Sequence, residues 1–216
     1  MVPGMLATNW IAIGVSTLAL LLSAVTAWLT LFRRGELRMT QPTVIFFGPD
    51  GGRGDQKPPR LKVFLRTLLY STSRRGQTVE SMHVNVQRGE SKQNFSIWVY
   101  GDDRLARGSG IYVGLDGVVC NHHFLLPEDG AAFRLAPGQY ALRVYAKRVS
   151  DRTPRQLAHI VLTISESRAQ ELEREDAGIY FDWGPDQQAY YAHVEVGARE
   201  PTPRSTSVSG SRPAKP

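Results

Sequence analysis

Residues 10–32 read WIAIGVSTLALLLSAVTAWLTLF, twenty-three residues without a charged side chain. At the rise of an α-helix such a run extends about 35 Å, enough to cross a hydrocarbon core of about 30 Å with some tilt. Trp10 stands at one end and Trp28 with Phe32 at the other, positions where aromatic rings favour the membrane–water interface. The run predicts a transmembrane helix over 10–32, preceded by a short extracytoplasmic N-terminus, residues 1–9. The alternative is a signal peptide cleaved after Val25-Thr26-Ala27. Residues 1–9 carry neither Lys nor Arg, and the apolar run is longer than a usual signal core, so retention is the better reading.

Just beyond the run come Arg33, Arg34 and Arg38, opposed only by Glu36. The positive-inside bias then places the N-terminus outside and the domain in the cytoplasm, as in a single-pass protein of the cell (inner) membrane. A domain on the extracytoplasmic face is the alternative. Within the helix, Ala12, Ser16, Ala19, Ser23, Thr26 and Thr30 repeat at 4-3-4-3-4 spacing and form one small-residue face. Small side chains let helix backbones approach closely, and hydroxyls can hydrogen-bond across the contact. The expected partners are the lipid bilayer and another transmembrane helix, from a second copy or a different protein. Chance competes with this reading, because ten of the 23 residues are Gly, Ala, Ser or Thr.

After the helix the period changes from helical to alternating. Glu36–Thr40 and Thr43–Phe47 read as short strands, and 48–59 (GPDGGRGDQKPP) is dense in the residues that punctuate chains. Alternating apolar and polar faces follow from Leu61 to Leu69 and in Met82-His83-Val84-Asn85-Val86-Gln87. The pattern recurs through Phe95, Ile97 and Val99, then Tyr140, Leu142, Val144 and Ala146, then Ile160, Leu162 and Ile164. It ends with Tyr190, Ala192, Val194 and Val196. Ile111–Phe124 looks like a tight hairpin turning at Asp116-Gly117, which would set Val113 opposite Cys120 and Ile111 opposite His122. One stretch reads as helix, 165–176, with Ser167 and Gln170 as a capping box and Gly178 as its stop; it should be a surface helix.

Seven to nine closely spaced strands predict an antiparallel two-sheet sandwich over 33–196. The segment 135–144 (LAPGQYALRV) resembles the corner before a late strand in immunoglobulin-like and fibronectin-type sandwiches. That resemblance implies that the Tyr140 hydroxyl bonds back to the preceding backbone. The paired cysteines of antibody-type domains are absent. Residues 197–216 are rich in Pro, Ser and Arg and should form a disordered basic tail.

A net charge of +6 and a pI near 9.7 permit contact with anionic partners. The basic residues are scattered among acids rather than clustered, so a nucleic-acid interface is not expected. Cys120 is the single cysteine, which rules out an intrachain disulfide and suits a reducing compartment. Cys120-Asn121-His122-His123 is the densest group of potential ligands. Zinc needs three or four protein ligands, and with no second cluster at ligand spacing the bland reading is a core cysteine beside a hydrogen-bonded histidine. His83, His159 and His193 fall on polar strand faces. Glu128 and Asp129 sit in a Pro/Gly turn. Gly48–Gly54 lacks the Gly-Lys-Ser/Thr that completes a phosphate loop, and Arg53-Gly54-Asp55 matches an adhesion tripeptide by coincidence. Tyr180, Phe181, Trp183 and Tyr191 make the richest aromatic stretch and the candidate partner or ligand surface, with plugging of the sandwich as the competing use.

The expectation is a mainly β protein: an N-terminal single transmembrane helix, then an antiparallel β-sandwich of immunoglobulin-like type with one short surface helix. It should act as a non-enzymatic binding or assembly module in a membrane complex, with no catalytic, cofactor or metal residues. One alternative is a hydrolase or metal-assisted enzyme around Cys120, His122 and Glu128. Another is an anionic-lipid-binding module using Arg33, Arg34, Arg38 and the basic tail. A small-molecule ligand is left open.

Overall fold

A computed structural model describes residues 3–32, 35–50, 61–101, 106–108, 110–127, 133–174 and 176–197. The helix α1 spans Pro3–Ala27 and runs on into a π-helical turn, Trp28–Phe32. Its stretch Trp10–Thr30 has a mean hydropathy of 2.0, and none of its most apolar window is buried against the rest of the chain. It is long and apolar enough to cross a membrane.

Thirteen short and long strands follow among the described residues. They are β1 Leu37–Met39, β2 Val44–Pro49, β3 Leu61–Ser71, β4 Gln77–Arg88, β5 Ser91–Phe95, β6 Ile97–Tyr100 and β7 Ala106–Arg107. Then come β8 Ile111–Val113, β9 Val118–Leu125, β10 Gly138–Arg148, β11 Arg155–Ile164, the helix α2 Glu166–Glu171, β12 Ala177–Gly184 and β13 Ala189–Val196. They form two sheets, and all strand pairings between described residues are antiparallel. The larger sheet runs β13-β12-β2-β3-β9-β6-β7, with β1 on the same edge of β3 as β2. The smaller runs β11-β10-β4-β5, with β8 on β4.

Alternation decides what lies between the sheets. Tyr140, Leu142, Val144 and Ala146 of β10 are buried, as are Met82, Val84 and Val86 of β4. From the larger sheet Val63, Leu65 and Leu69, with Phe47, Phe124, Ile179 and Phe181, meet them in one cluster. Each such side chain gains roughly 1.5–3 kcal/mol on burial. The Tyr140 hydroxyl donates to Ala136 O (2.6 Å) and accepts from the Ala136 amide (2.8 Å), the local contact that the immunoglobulin-like corner implies.

Two expectations are corrected. Ile111–Phe124 is not a hairpin: β8 pairs with β4 in the smaller sheet and β9 with β3 and β6 in the larger. Val113 therefore faces Gln77, and Cys120 faces Thr67. The turn exists, with the Gly117 amide bonded to Gly114 O, but Gly114 O also accepts from Ser71 N (3.0 Å), so the chain changes sheets there. Gly117 has φ +77, and a Cβ would come within 2.6 Å of Leu68 Cδ1. The helix near 165–176 is also shorter, Glu166–Glu171, and capped by Ser165, whose hydroxyl accepts from Arg168 N. Gly178 is a buried strand residue rather than its stop.

The larger sheet is buried on its far side as well. Phe46, Phe64 and Tyr180 form a second cluster there. The pairings Tyr180↔His193, Tyr180↔Phe46, Phe46↔Phe64 and Phe64↔His123 set five rings in one row across five strands. Gly48 and Gly178 make room for it: a Cβ on Gly48 would stand 2.2 Å from the Phe46 ring, and one on Gly178 2.3 Å. Gly178→Ala should therefore destabilise the domain by about 1–3 kcal/mol through overpacking. In a double-mutant cycle of thermal unfolding, that cost should shrink when Phe46→Leu removes the ring; an unchanged cost would show that the ring is not what excludes the methyl group.

Candidate interaction groove and buried histidines

The aromatic residues near 180–191 divide by strand alternation. Phe181 points inward and is fully buried in the shared core, and Tyr180 belongs to the row on the far side of the sheet. Tyr191 shares that outer side and is exposed, beside Asp182 in register. Trp183 points inward, where it meets Tyr190 edge-on at 5.0 Å between ring centres.

Trp183 and Tyr190 floor a groove of about 550 Å³ on the open side of the domain, between the outermost strands β11 and β13. Its rim carries Gln41, His159, Thr163, Ser165, Arg168 and Gln188. The Tyr190 hydroxyl donates to Pro42 O (2.8 Å) and accepts from Gln41 Nε2 (2.9 Å), which pins the floor to the chain between β1 and β2. Burial raises the phenol's pKa above its ordinary value, so Tyr190 stays neutral. An aromatic floor with amide, hydroxyl, imidazole and guanidinium groups around it suits stacking and hydrogen bonding.

Cys120 and His122 share the inward side of β9. His122 is fully buried, and its Nδ1 accepts from Trp98 Nε1 (3.1 Å), leaving the proton on Nε2. Cys120 is partly buried and packs against the core. Glu128, the third member of the enzymatic alternative, lies outside the described residues, as do Arg53–Asp55, Asp129, Arg33, Arg34 and the tail from residue 198. Among the described residues no group of three His, Cys, Asp or Glu is placed to hold a metal ion.

His123 points to the far side, 5.0 Å from the Phe64 ring. Near it Lys62 is buried, 3.7 Å from Asp50 Oδ1 and with its ammonium 6.0 Å from the Phe46 ring centre. Burial pushes both histidines down to about 4, helped at His122 by the charge of His123 and at His123 by that of Lys62. His83 lies half-buried and stacked on Tyr145, with rings 6° from parallel; burial lowers its pKa too. His159 is exposed on the groove rim. His193 stacks on Tyr180 and lies 3.2 Å from Asp182 Oδ2.

Compared with known protein families, curated proteins and solved structures, the chain matches none.

The histidine pair makes stability depend on pH. Both imidazoles are neutral in the fold but take a proton on unfolding, so stability is complete above about pH 6.5 and is lost as pH falls toward about 4. His122 alone contributes on the order of 3 kcal/mol at the acid end. The unfolding midpoint should fall through that window. His122→Asn, which keeps an acceptor for Trp98, should flatten part of the fall; an undiminished pH dependence would exclude His122 as a source.

Proposed function

We propose that this chain is a single-pass protein of the cell inner membrane, with a cytoplasmic immunoglobulin-like sandwich that works as a non-enzymatic binding or assembly module. The observation that carries the reading is Trp10–Thr30, an uncharged helix with no part of the domain against its most apolar window. Lipid, or a second helix within lipid, is the environment that satisfies it. Arg33, Arg34 and Arg38 support the cytoplasmic orientation. The Tyr140–Ala136 contact supports the immunoglobulin-like assignment. The binding role is supported by the Trp183–Tyr190 groove, and by the inward placement of His122, which leaves it no access to a substrate.

The small-residue face supports a helix partner. Ser16 donates to Ala12 O and Thr26 to Leu22 O, each at 2.8 Å, so those hydroxyl protons are satisfied within the helix. The face then packs by close van der Waals approach more than by hydrogen bonds donated across it. Thr30 falls in the π turn, where wider winding interrupts the α-helical spacing, so Ala12 to Thr26 is the continuous part.

Cross-linking in native membranes and co-purification in mild detergent test the role. Ser16→Ile with Ser23→Ile should weaken helix association by roughly 1 kcal/mol, about fivefold. Trp183→Ala should release a partner held by the groove while leaving the chain in the membrane fraction. A chain that is monomeric and alone at native abundance contradicts the reading.

A further inference from the structure

The end of the domain that receives the membrane helix has a defined construction. Gly35 O accepts from Gln77 Nε2 (3.0 Å) and Arg148 Nη1 (3.1 Å), and the Glu36 amide donates to Thr72 Oγ1 (2.8 Å). A Cβ on Gly35 would stand 2.6 Å from Ser73 Cβ, so the incoming chain lies flush on the 72–76 turn. Tyr112 donates to Arg75 O (3.2 Å), Ser71 N donates to Gly114 O (3.0 Å), and Val149 N donates to Thr78 O (3.0 Å). The turns 72–76, 114–117 and 149–154 are thereby gathered around Gly35.

These turns expose a particular mixture. Arg74, Arg75 and Arg152 are exposed, and between them stand two apolar side chains, Leu115 at 52% and Val149 at 66% exposure. Asp151 at this end is engaged by Arg148 at 2.7 Å and Arg155 at 3.4 Å, and Glu36 by Arg38 at 3.2 Å, leaving Asp116 as the acid on the turns themselves. From Phe32, the last residue of the apolar helix, to the docked Gly35 is three Cα steps, at most about 11 Å. A headgroup layer is about 5–8 Å deep on each side of the core, and the Debye length is about 10 Å at 0.1 M salt. The short tether leaves these turns no room to stand clear of the bilayer surface.

We propose that this end of the domain seats on the anionic headgroups of the bilayer that its own helix spans. Arg74, Arg75 and Arg152 meet the lipid phosphates, while Leu115 and Val149 enter the interfacial layer. The inference rests on the membrane-anchored reading and adds a fixed posture: the domain stands on its helix-entry end rather than swinging freely on it.

The test uses the full chain with Cys120→Ser and one added cysteine carrying a fluorophore, in vesicles that contain lipids with a headgroup nitroxide quencher. One label site is Ser150→Cys, in the turn after β10; the control is Glu90→Cys, in the β4–β5 turn at the opposite end of β4. With phosphatidylglycerol present, the Ser150 label should be quenched and the Glu90 label spared. High salt, or Arg74→Glu with Arg75→Glu and Arg152→Glu, should abolish the phosphatidylglycerol-dependent part. Equal quenching at both sites, or no response to lipid charge and charge reversal, overturns the seating. Flotation of the same samples separates the two readings. A chain that floats with the vesicles but shows no such difference loses only the seating, whereas a chain that fails to float loses the anchor as well.

Discussion

Among the described residues nothing covers the Leu, Ile and Val side chains of the helix Trp10–Thr30, and that uncovered apolar surface is the constraint on which the rest depends. Nine such residues lie in the stretch, each worth about 0.3–0.6 kcal/mol at the centre of an inserted helix, so insertion gains several kcal/mol. Left in water, the same surface has nothing to cover it. A lipid anchor would remove that cost, and three Cα steps join Phe32 to the docked Gly35.

The domain itself is organised around the larger sheet, which is buried on both sides in its middle. On the inner side it shares a core with the smaller sheet. On the outer side a row runs from His193 through Tyr180, Phe46 and Phe64 to His123. His193 stacks on Tyr180, Phe46 is tilted against Tyr180 and Phe64 against His123, and Gly48 and Gly178 leave room for the Phe46 ring. The two histidines buried against that sheet are neutral in the fold, so acid destabilises it. The groove between β11 and β13 and the helix-entry end lie away from this buried row.

Local periodicity carried much of the architecture. The strict alternation of Tyr140, Leu142, Val144 and Ala146 is the burial pattern of β10. Met82, Val84 and Val86 are buried in β4 as their spacing implies, although Asn85 between them is buried too, on the other face. The Tyr140 corner was legible because its contact spans four residues. What escaped depends on partners distant in sequence. Asp116-Gly117 is a good turn, but whether β8 and β9 pair with each other or part to different sheets is decided by Ser71 and Gly114, which no local pattern reports. Trp98 as the partner of His122 is likewise a contact across strands. One signal was available: Val44-Ile45-Phe46-Phe47 is apolar without alternation, the mark of a strand buried on both faces. The aromatic stretch at 180–191 read as one surface because composition ignores the period of two that sends Phe181 and Trp183 one way and Tyr180 and Tyr191 the other.

The anchor is tested most directly by extracting native membranes with alkaline carbonate and sequencing the N-terminus of what stays behind. The full chain, start included, should remain with the lipid. Leu20→Arg with Leu22→Arg, which costs roughly 2.5–3.5 kcal/mol per charge at the helix centre, should release it. Wild-type chain that washes into the supernatant, or mature chain that begins after Ala27, would contradict a permanent membrane anchor and the function built on it.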